Sequence, residues 1–318
     1  MNSYLEIPDE FIHRTIQLHR NRGREWLSRV PKLLSETESK WGLKCLKVVS
    51  SLSYNLVIHA IDLNPTGGGA ILKLGLPGDQ LDSEILSLLH YAGNGAARLL
   101  NYDRENGVLL LEQIYPGISL AELWSLGDDY TAVEVCCDLI SQLHQNGSKL
   151  APDLSLSALA DRGVEWSRLK EAVRRGLIPF DVHVISMAEE TFQELLASTQ
   201  KVVLLHGDLH HANILKSTRN SWLVVDPQGV LGDPAFEVAA FMRNPVPGLF
   251  QAQDPKAVMK WRMDLFADRL GFDKRRIWGW SFCQTLLASW WVFEDHGSGW
   301  EEWYSLALIL QELKPHGS

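Results

Sequence analysis

The stretch "LLHGDLHHANIL", Leu204 to Leu215, sets a carboxylate, Asp208, and an amide, Asn213, in a short polar loop between two apolar runs. Further on, the run "WLVV" ends in Asp226, which is followed by Pro227 and Gly229. Upstream, Lys73 in "AILKLG" precedes a stretch that carries Glu84. The chemistry that needs this set is phosphoryl transfer from a nucleotide. The moving group is highly charged and its transition state is loose, so the protein chiefly positions groups and neutralises charge. Magnesium takes hard oxygen ligands and keeps several waters, so the Asp226 carboxylate and the Asn213 amide oxygen suffice as protein ligands. Asp208 is then left to face an acceptor hydroxyl and take its proton, a role worth ~10²–10⁴ in rate. Lys73 would hold the α- and β-phosphates and Glu84 would orient Lys73, with Asp82 as the rival partner. Pro227 disfavours helical backbone at the residue before it, so Asp226 is expected to be extended at a strand end. Gly229 permits a turn close by.

These residues need elements to hold them. Residues 8–40 carry apolar positions at helical spacing, with Pro8-Asp9-Glu10 as a helix start. "LKVVSSLSYNLVIHAIDL" and "GGAILKLGL" are short β-branched runs separated by turn residues and read as strands. Gly67-Gly68-Gly69 reads as a hairpin turn before the Lys73 strand. "GDQLDSEILSLLHYAG" has helical spacing, and "AARLLNYDRENGVLLLEQI" reads as two strands joined at Glu105-Asn106-Gly107, since an Asn-Gly pair tolerates positive φ. A boundary is expected at Tyr115-Pro116-Gly117. Beyond it the chain reads as helical from about Ser119 to Glu312, except for one strand–loop–strand island, Val202 to Val225. The expected organisation is a mixed α and β lobe, residues 1–115, that binds nucleotide, and a mostly helical lobe, residues 116–318, that carries catalysis and the acceptor.

Composition narrows the class. The chain has 318 residues, 46% hydrophobic, enough for a large core or two lobes. A net charge of -9 argues against a nucleic-acid partner, which requires a basic face, and is compatible with a cationic small substrate. The four cysteines, Cys45, Cys136, Cys137 and Cys283, form no C-x-x-C and read as reduced thiols of a cytoplasmic protein. The N-terminal "MNSYLEIPDEF" does not read as a secretory signal. The apolar segment "SFCQTLLASWWVF" is too short to span a bilayer, so no membrane partner is expected.

The pattern H-G-D-x-x-x-x-N followed by D-P-Q-G resembles the aminoglycoside phosphotransferase branch of the protein-kinase-like superfamily. "HGDLHHANIL", "DPQGVLGDPAFEVAAFMRNP", "WWVFEDHG" and the N-terminal "EFIHRTIQLHRNRGREWLSRVPKLL" are similar to the streptomycin 6-kinase and hydroxyurea phosphotransferase group, so the resemblance covers nearly the whole chain. It implies an α+β, bilobal protein-kinase-like fold, with an antiparallel sheet and helix in the N-terminal lobe and a larger, mostly helical C-terminal lobe. It implies ATP and Mg²⁺. It implies Asp208 as the catalytic base, Asn213 and Asp226 as metal ligands, and Lys73 and Glu84 at the nucleotide. Two departures stand out. Gly207 replaces the arginine of the protein-kinase loop, which excludes a phosphorylation switch of that kind. There is also no G-x-G-x-x-G, so "SSLSYN", Ser50 to Asn55, is expected to cover the nucleotide through Ser51, Ser53 and Asn55, with Glu112 and Ile114 as further nucleotide contacts.

Other polar residues read more plainly. His206 is expected to hold the loop by hydrogen bonds, and the adjacent His210 and His211 are poor zinc ligands. Asp233-Pro234 reads as a helix N-cap with proline in the first turn, and the resemblance implies that Asp233 also supports the catalytic loop. Most of the late tryptophans read as core. Glu294 and Asp295 lie at a helix end, where the dipole favours cations rather than carboxylates. They are either a solvated loop or a site for guanidinium or ammonium groups, and Glu301 and Glu302 read as solvated. The function expected is ATP- and Mg²⁺-dependent phosphorylation of a hydroxyl on a small molecule, an aminoglycoside of the streptomycin type, with hydroxyurea or another metabolite as the alternative acceptor. A nucleotidyltransferase or a non-catalytic nucleotide-binding module is the alternative of another class.

Overall fold

The computed structural model describes residues 5–49, 52, 54–65, 67–145 and 156–315. Ser51 and Ser53 lie outside them. Two compact units divide at Tyr115, Met1–Tyr115 and Pro116–Ser318.

The first unit begins with α1, Asp9–Trp41, in which Phe11, Thr15, Trp26, Val30 and Leu34 fall on one buried face. The helix is kinked at Arg20, whose φ of 50° and ψ of -122° are not helical. Gly42, at φ 68°, ends it in the left-handed conformation that glycine adopts without penalty, and returns its N–H to the Glu38 carbonyl. Five strands follow around one further helix: β1 (Leu43–Val48), β2 (Leu56–Asp62), β3 (Gly69–Leu74), α2 (Asp79–Tyr91), β4 (Leu99–Asp103) and β5 (Val108–Glu112). The strands form a sheet of order β1-β2-β3-β5-β4 in which every pair is antiparallel. Gly67 and Gly68 lie in the hairpin turn between β2 and β3, where Gly68 O accepts from Asp62 N. Strand alternation sends Leu56, Ile58, Ala60, Ala70, Leu72 and Leu74 to the face covered by α1. Lys73 therefore points to the opposite face of the central strand.

The second unit departs from the expected helical body with one β island, because its strands fall in two sheets. Its elements are β6 (Pro116–Ser119), α3 (Ala121–Ser125), α4 (Asp129–Gln145), β7 (Ser157–Ala158), α5 (Gly163–Arg174), α6 (Val182–Ala197), β8 (Val203–Leu205), β9 (Ile214–Ser217), β10 (Ser221–Val224), β11 (Val230–Gly232), α7 (Val238–Met242), α8 (Pro255–Leu270), α9 (Lys274–His296) and α10 (Glu301–Glu312). Among the described residues, the strands of this unit make two sheets, β10-β9-β6 and β7-β11-β8. The two strands that flank the polar loop, β8 and β9, thus belong to different sheets. The strands β6, β7 and β11 that complete these sheets are two to four residues long, too short to show a period of two in the sequence. The apolar segment around Trp290 belongs to α9, which is buried on every side from Ile277 to Trp290. A helix apolar all round is the core of its unit. Among the described residues no helix is long and apolar enough to cross a membrane. The four cysteines are buried and unbonded.

Candidate active site

In the first unit, the Lys73 ammonium lies 2.7 Å from both carboxylate oxygens of Glu84, with the two side chains 3% and 7% exposed. A buried charge pair of this kind persists because either partner alone would be a desolvated charge. Asp82 instead holds Arg104 at 2.6 Å. Asn55 is described and packs against Gly75, whose missing Cβ leaves room for the Asn55 amide. The Glu112 carboxylate accepts from Arg98 N at 2.9 Å at the end of β5, and Ile114 lies just beyond that strand, half-buried.

In the second unit the polar loop leaves β8 at His206. Gly207 adopts φ 83°, a region that residues with a Cβ reach only at a cost, so glycine here is a backbone requirement. His206 is fully buried. Its Nε2 donates to the Val225 carbonyl at 2.8 Å, and its Nδ1 accepts from Asp208 N at 3.4 Å. A carbonyl only accepts and an amide only donates, so the ring is neutral with its proton on Nε2. Burial lowers its pKa in agreement. His206 therefore has the structural role expected of it.

Asn213 closes the loop. Its side-chain nitrogen donates to the Asp208 carbonyl at 3.1 Å, which leaves the amide oxygen as the acceptor. The β9–β10 ladder runs Ile214 opposite Val224 and continues with Val225 N donating to Asn213 O at 2.9 Å. Asp226 follows directly, so the antiparallel register brings Asn213 and Asp226 to one end of the hairpin. Asp226 is not extended as expected: its φ is 58°. The proline after it disfavours the right-handed helical region, and aspartate is among the few residues that tolerate the left-handed one. The carboxylate is thereby turned out of the strand line at the hairpin end. Two hard oxygens suit a cation that keeps water and phosphate ligands. Among the described residues no group of three or more His, Cys, Asp or Glu is placed to hold a metal ion, so the donor set does not resemble a zinc site.

Asp208 keeps 25% of its side-chain surface exposed. Arg243 donates to its Oδ1 at 3.2 Å, and His210 Nε2 stands 3.5 Å from Oδ2. Desolvation works to raise the Asp208 carboxyl, but His210 and Arg243 outweigh it and hold it well below the usual carboxylate range. The group is ionised at neutral pH and is a weak base. A weak base suits a loose transition state, in which the acceptor oxygen keeps its proton until late.

Several residues that build this site were not legible in the sequence. Glu237, 1% exposed, accepts from His206 N at 2.7 Å and Gly207 N at 2.9 Å, with His144 Nε2 at 3.4 Å. It holds the loop in the role expected of Asp233. Asp233 does cap its short helix, accepting from Ala235 N, but its other bonds go to Arg276 and to Trp280 Nε1. The sequence signal for Glu237 was a lone carboxylate inside the apolar run "PAFEVAAFM". Arg243 closes the same run, and the buried Arg262, paired with Asp129, donates to the carbonyls of Phe241 and Asn244 on either side of it. His211 is a core residue, stacked 3.8 Å from Phe241, and burial drives its pKa down to about 3.

Glu294 and Asp295 lie in the last turn of α9 rather than in a loop. The Arg168 guanidinium bridges Glu294 and Glu165, and Glu165 Oε2 accepts from Trp290 Nε1 at 3.3 Å and Trp291 Nε1 at 3.4 Å. Partial burial, opposed by Arg168 and aided by Glu165 and Asp295, raises the Glu294 carboxyl. Trp278 and Trp280 are core, as expected, while Glu301 and Glu302 are exposed.

Known proteins are similar to this chain. The chain is 28% identical over 313 residues to the streptomycin 6-kinase of Streptomyces glaucescens, covering 98% of each. It is 28% identical over 299 residues to the hydroxyurea phosphotransferase of Kitasatospora aureofaciens, covering 93% of this chain and 82% of that one. The crystal structure of the choline kinase LicA from Streptococcus pneumoniae superposes with a TM-score of 0.60 at 17% identity, over 89% of this chain and 99% of that one, which establishes the protein-kinase-like fold. The family model described as aminoglycoside/hydroxyurea antibiotic resistance kinase matches residues 45–296. The protein with the Asp208 loop and the Asn213–Asp226 hairpin end belongs to that family and is a small-molecule phosphotransferase acting on a hydroxyl.

Proposed function

We propose that the protein transfers the γ-phosphoryl group of ATP, with Mg²⁺, to a hydroxyl of a streptomycin-type aminoglycoside and so inactivates it. The observation that carries this reading is the loop geometry: a buried His206 and Glu237 fix the backbone on which Asp208 is ionised, next to the hairpin end that joins Asn213 and Asp226. Asp226 and the Asn213 amide oxygen would hold the metal, which supplies charge neutralisation at the phosphates when bound. Asp208 orients the acceptor hydroxyl and takes its proton late. Lys73, aligned by Glu84, binds the α- and β-phosphates in the first unit, which we assign to the nucleotide, with Asn55, Glu112 and Ile114 as further contacts. The second unit then carries catalysis and the acceptor. The four buried thiols suit a cytoplasmic setting.

Glu165, Glu294 and Asp295 support a cationic acceptor. The Arg168 guanidinium already bridges two of these carboxylates, the interaction an aminoglycoside guanidino group would make. A second reading has its own observation. Arg243 stands on Asp208 itself and offsets its negative charge, which equally suits a small neutral acceptor such as hydroxyurea. The test is incubation of the purified protein with ATP, Mg²⁺ and each candidate acceptor, with mass spectrometry of the products. Phosphorylated streptomycin is expected. An adenylylated product would replace the kinase reading with nucleotidyl transfer, and modification of hydroxyurea alone would move the acceptor assignment to the second reading.

A further inference from the structure

Arg162 ends the short 3₁₀ turn Leu159–Arg162 just before α5. Its guanidinium donates to Gln284 Oε1 at 3.1 Å and Gln228 Oε1 at 2.8 Å. It also lies over two aromatic rings, 5.1 Å from the Phe236 centroid and 5.7 Å from Trp291. Both amides are neutral, and among the described residues no carboxylate forms an ion pair with it. This is unusual for an inward-facing cation, because a desolvated guanidinium is costly without an anionic partner. Three other inward-facing cations of the second unit have one: Arg243 has Asp208, Arg262 has Asp129 and Arg276 has Asp233.

The position of Arg162 is informative. A Cβ built on Gly207 would stand 3.4 Å from Gln228 Cβ and 3.8 Å from Gln228 Oε1, the same oxygen that Arg162 grips. Gln228 N also donates to the His206 carbonyl at 2.7 Å. Arg162 is therefore one side chain away from the backbone that carries Asp208. It is aimed by two amides and two rings, an arrangement that fixes a guanidinium fork without a direct ion pair, while the charges of Asp208, Glu237 and Glu165 act on it from a distance.

We propose that Arg162 is a further catalytic residue, whose guanidinium binds the oxygens of the phosphoryl group as that group is transferred beside Asp208. The inference rests on the kinase reading above, and not on the identity of the acceptor. In the transfer the acceptor oxygen–phosphorus bond forms as the bond from phosphorus to the β,γ-bridging oxygen breaks. The acceptor proton passes to Asp208 and ADP leaves. Charge on the equatorial phosphoryl oxygens is what a planar, permanently charged fork is suited to meet. Burial brings Arg162 down to about 10, with the Asp208 charge opposing the shift, so it remains cationic at neutral pH. Its missing partner is then the anion that is present only during the reaction, a placement that favours the transition state over the resting enzyme.

The test uses orthovanadate, a mimic of the phosphoryl group in flight, titrated calorimetrically into the full-length protein saturated with Mg²⁺ and ADP. Arg162→Met is expected to weaken vanadate binding by tenfold or more while leaving ADP affinity within about twofold of wild type, one decade being roughly 1.4 kcal/mol. Arg162→Lys keeps the charge but loses the fork and is expected to recover only part of the affinity. Should the methionine variant fail to fold, Gln228→Leu removes one of the two guides of the guanidinium and is expected to weaken vanadate several-fold at unchanged ADP affinity. Vanadate affinity equal to wild type in Arg162→Met, or in Gln228→Leu when only that variant folds, overturns the proposal. So does a parallel loss of ADP affinity. If the wild type binds no ADP, the kinase reading fails and the inference with it. If the wild type binds ADP but not vanadate, the inference alone fails.

Discussion

Replacing Glu237 by glutamine should damage both stability and turnover, and the size of the effect follows from its contacts. The carboxylate takes two backbone N–H groups, from His206 and Gly207, on separate oxygens at 2.7 and 2.9 Å. A glutamine has one acceptor oxygen, so its amide N–H₂ must face one of those donors. The change removes a charge-assisted hydrogen bond, worth about 1.5–3 kcal/mol, and orphans a buried donor at about 1–3 kcal/mol. His144 also loses its carboxylate. The sum, about 3–5 kcal/mol, matches the usual cost of breaking a buried charged network. Against a total stability of about 5–15 kcal/mol this leaves the unit marginal. At about 2–4 °C per kcal/mol for a unit of this size, Glu237→Gln should melt about 6–20 °C lower. The pH dependence gives a second check. Burial works to raise the Glu237 carboxyl, but His144 and the Gly207 N–H bring it below its usual 4.5. A depressed carboxyl stabilises the fold in full above its unfolded value and loses that stabilisation as pH falls through the native one. The gap between wild type and variant should thus stay constant from neutral pH to about pH 5 and narrow only in acid. Calorimetric melting across pH, with turnover measured below the melt, tests this. A variant that melts within about 2 °C of wild type at pH 7 and turns over normally would refute the loop-holding role, since that shift is worth no more than about 1 kcal/mol.

Asp208→Asn should retain ATP binding and lose about 10²–10⁴ in turnover, and wild-type turnover would remove Asp208 from the mechanism. Asp226→Ala should abolish Mg²⁺-supported activity, because it removes the one charged ligand proposed for the metal; persistent activity that ignores Mg²⁺ and Mn²⁺ would contradict that assignment. Lys73→Met removes the ion pair of the buried Glu84 carboxylate and should destabilise the protein by about 3–5 kcal/mol. Adding Glu84→Gln should recover much of the stability but none of the activity, and denaturant melts alongside ATP turnover separate the two effects. Glu294→Gln with Asp295→Asn should raise KM for streptomycin about tenfold, roughly 1.4 kcal/mol, with KM for ATP unmoved; unchanged acceptor KM at low salt would make this helix end a solvated one.

Much of the placement of the candidate site was legible in local sequence. Asp208, Asn213 and Asp226 are close along the chain, and the hairpin between them is short, so spacing alone implies that they meet. Lys73 and Glu84 are separated by one strand end and the first turns of a helix, again a local geometry. The hairpin at Gly67 and Gly68 and the turn at Asn106-Gly107 were legible because turns are specified by a few residues with particular backbone tolerance. What tertiary structure decided lay at long range or in backbone detail. β8 and β9 joined different sheets because their partners, β11 and β6, come from distant segments and are too short to carry a period. Asp226 took the left-handed conformation because proline restricts only which region its neighbour avoids, while the surrounding hairpin end selects among those that remain. Glu237, and not Asp233, reached the loop N–H groups because the 3₁₀ turn between them swings the later carboxylate inward. Arg243 and Arg162 came to the site across 35 and 46 residues from Asp208. No periodicity records such approaches. A side chain's partner across the fold depends on how whole elements pack, and sequence spacing constrains that only within a helix turn, a hairpin or a loop.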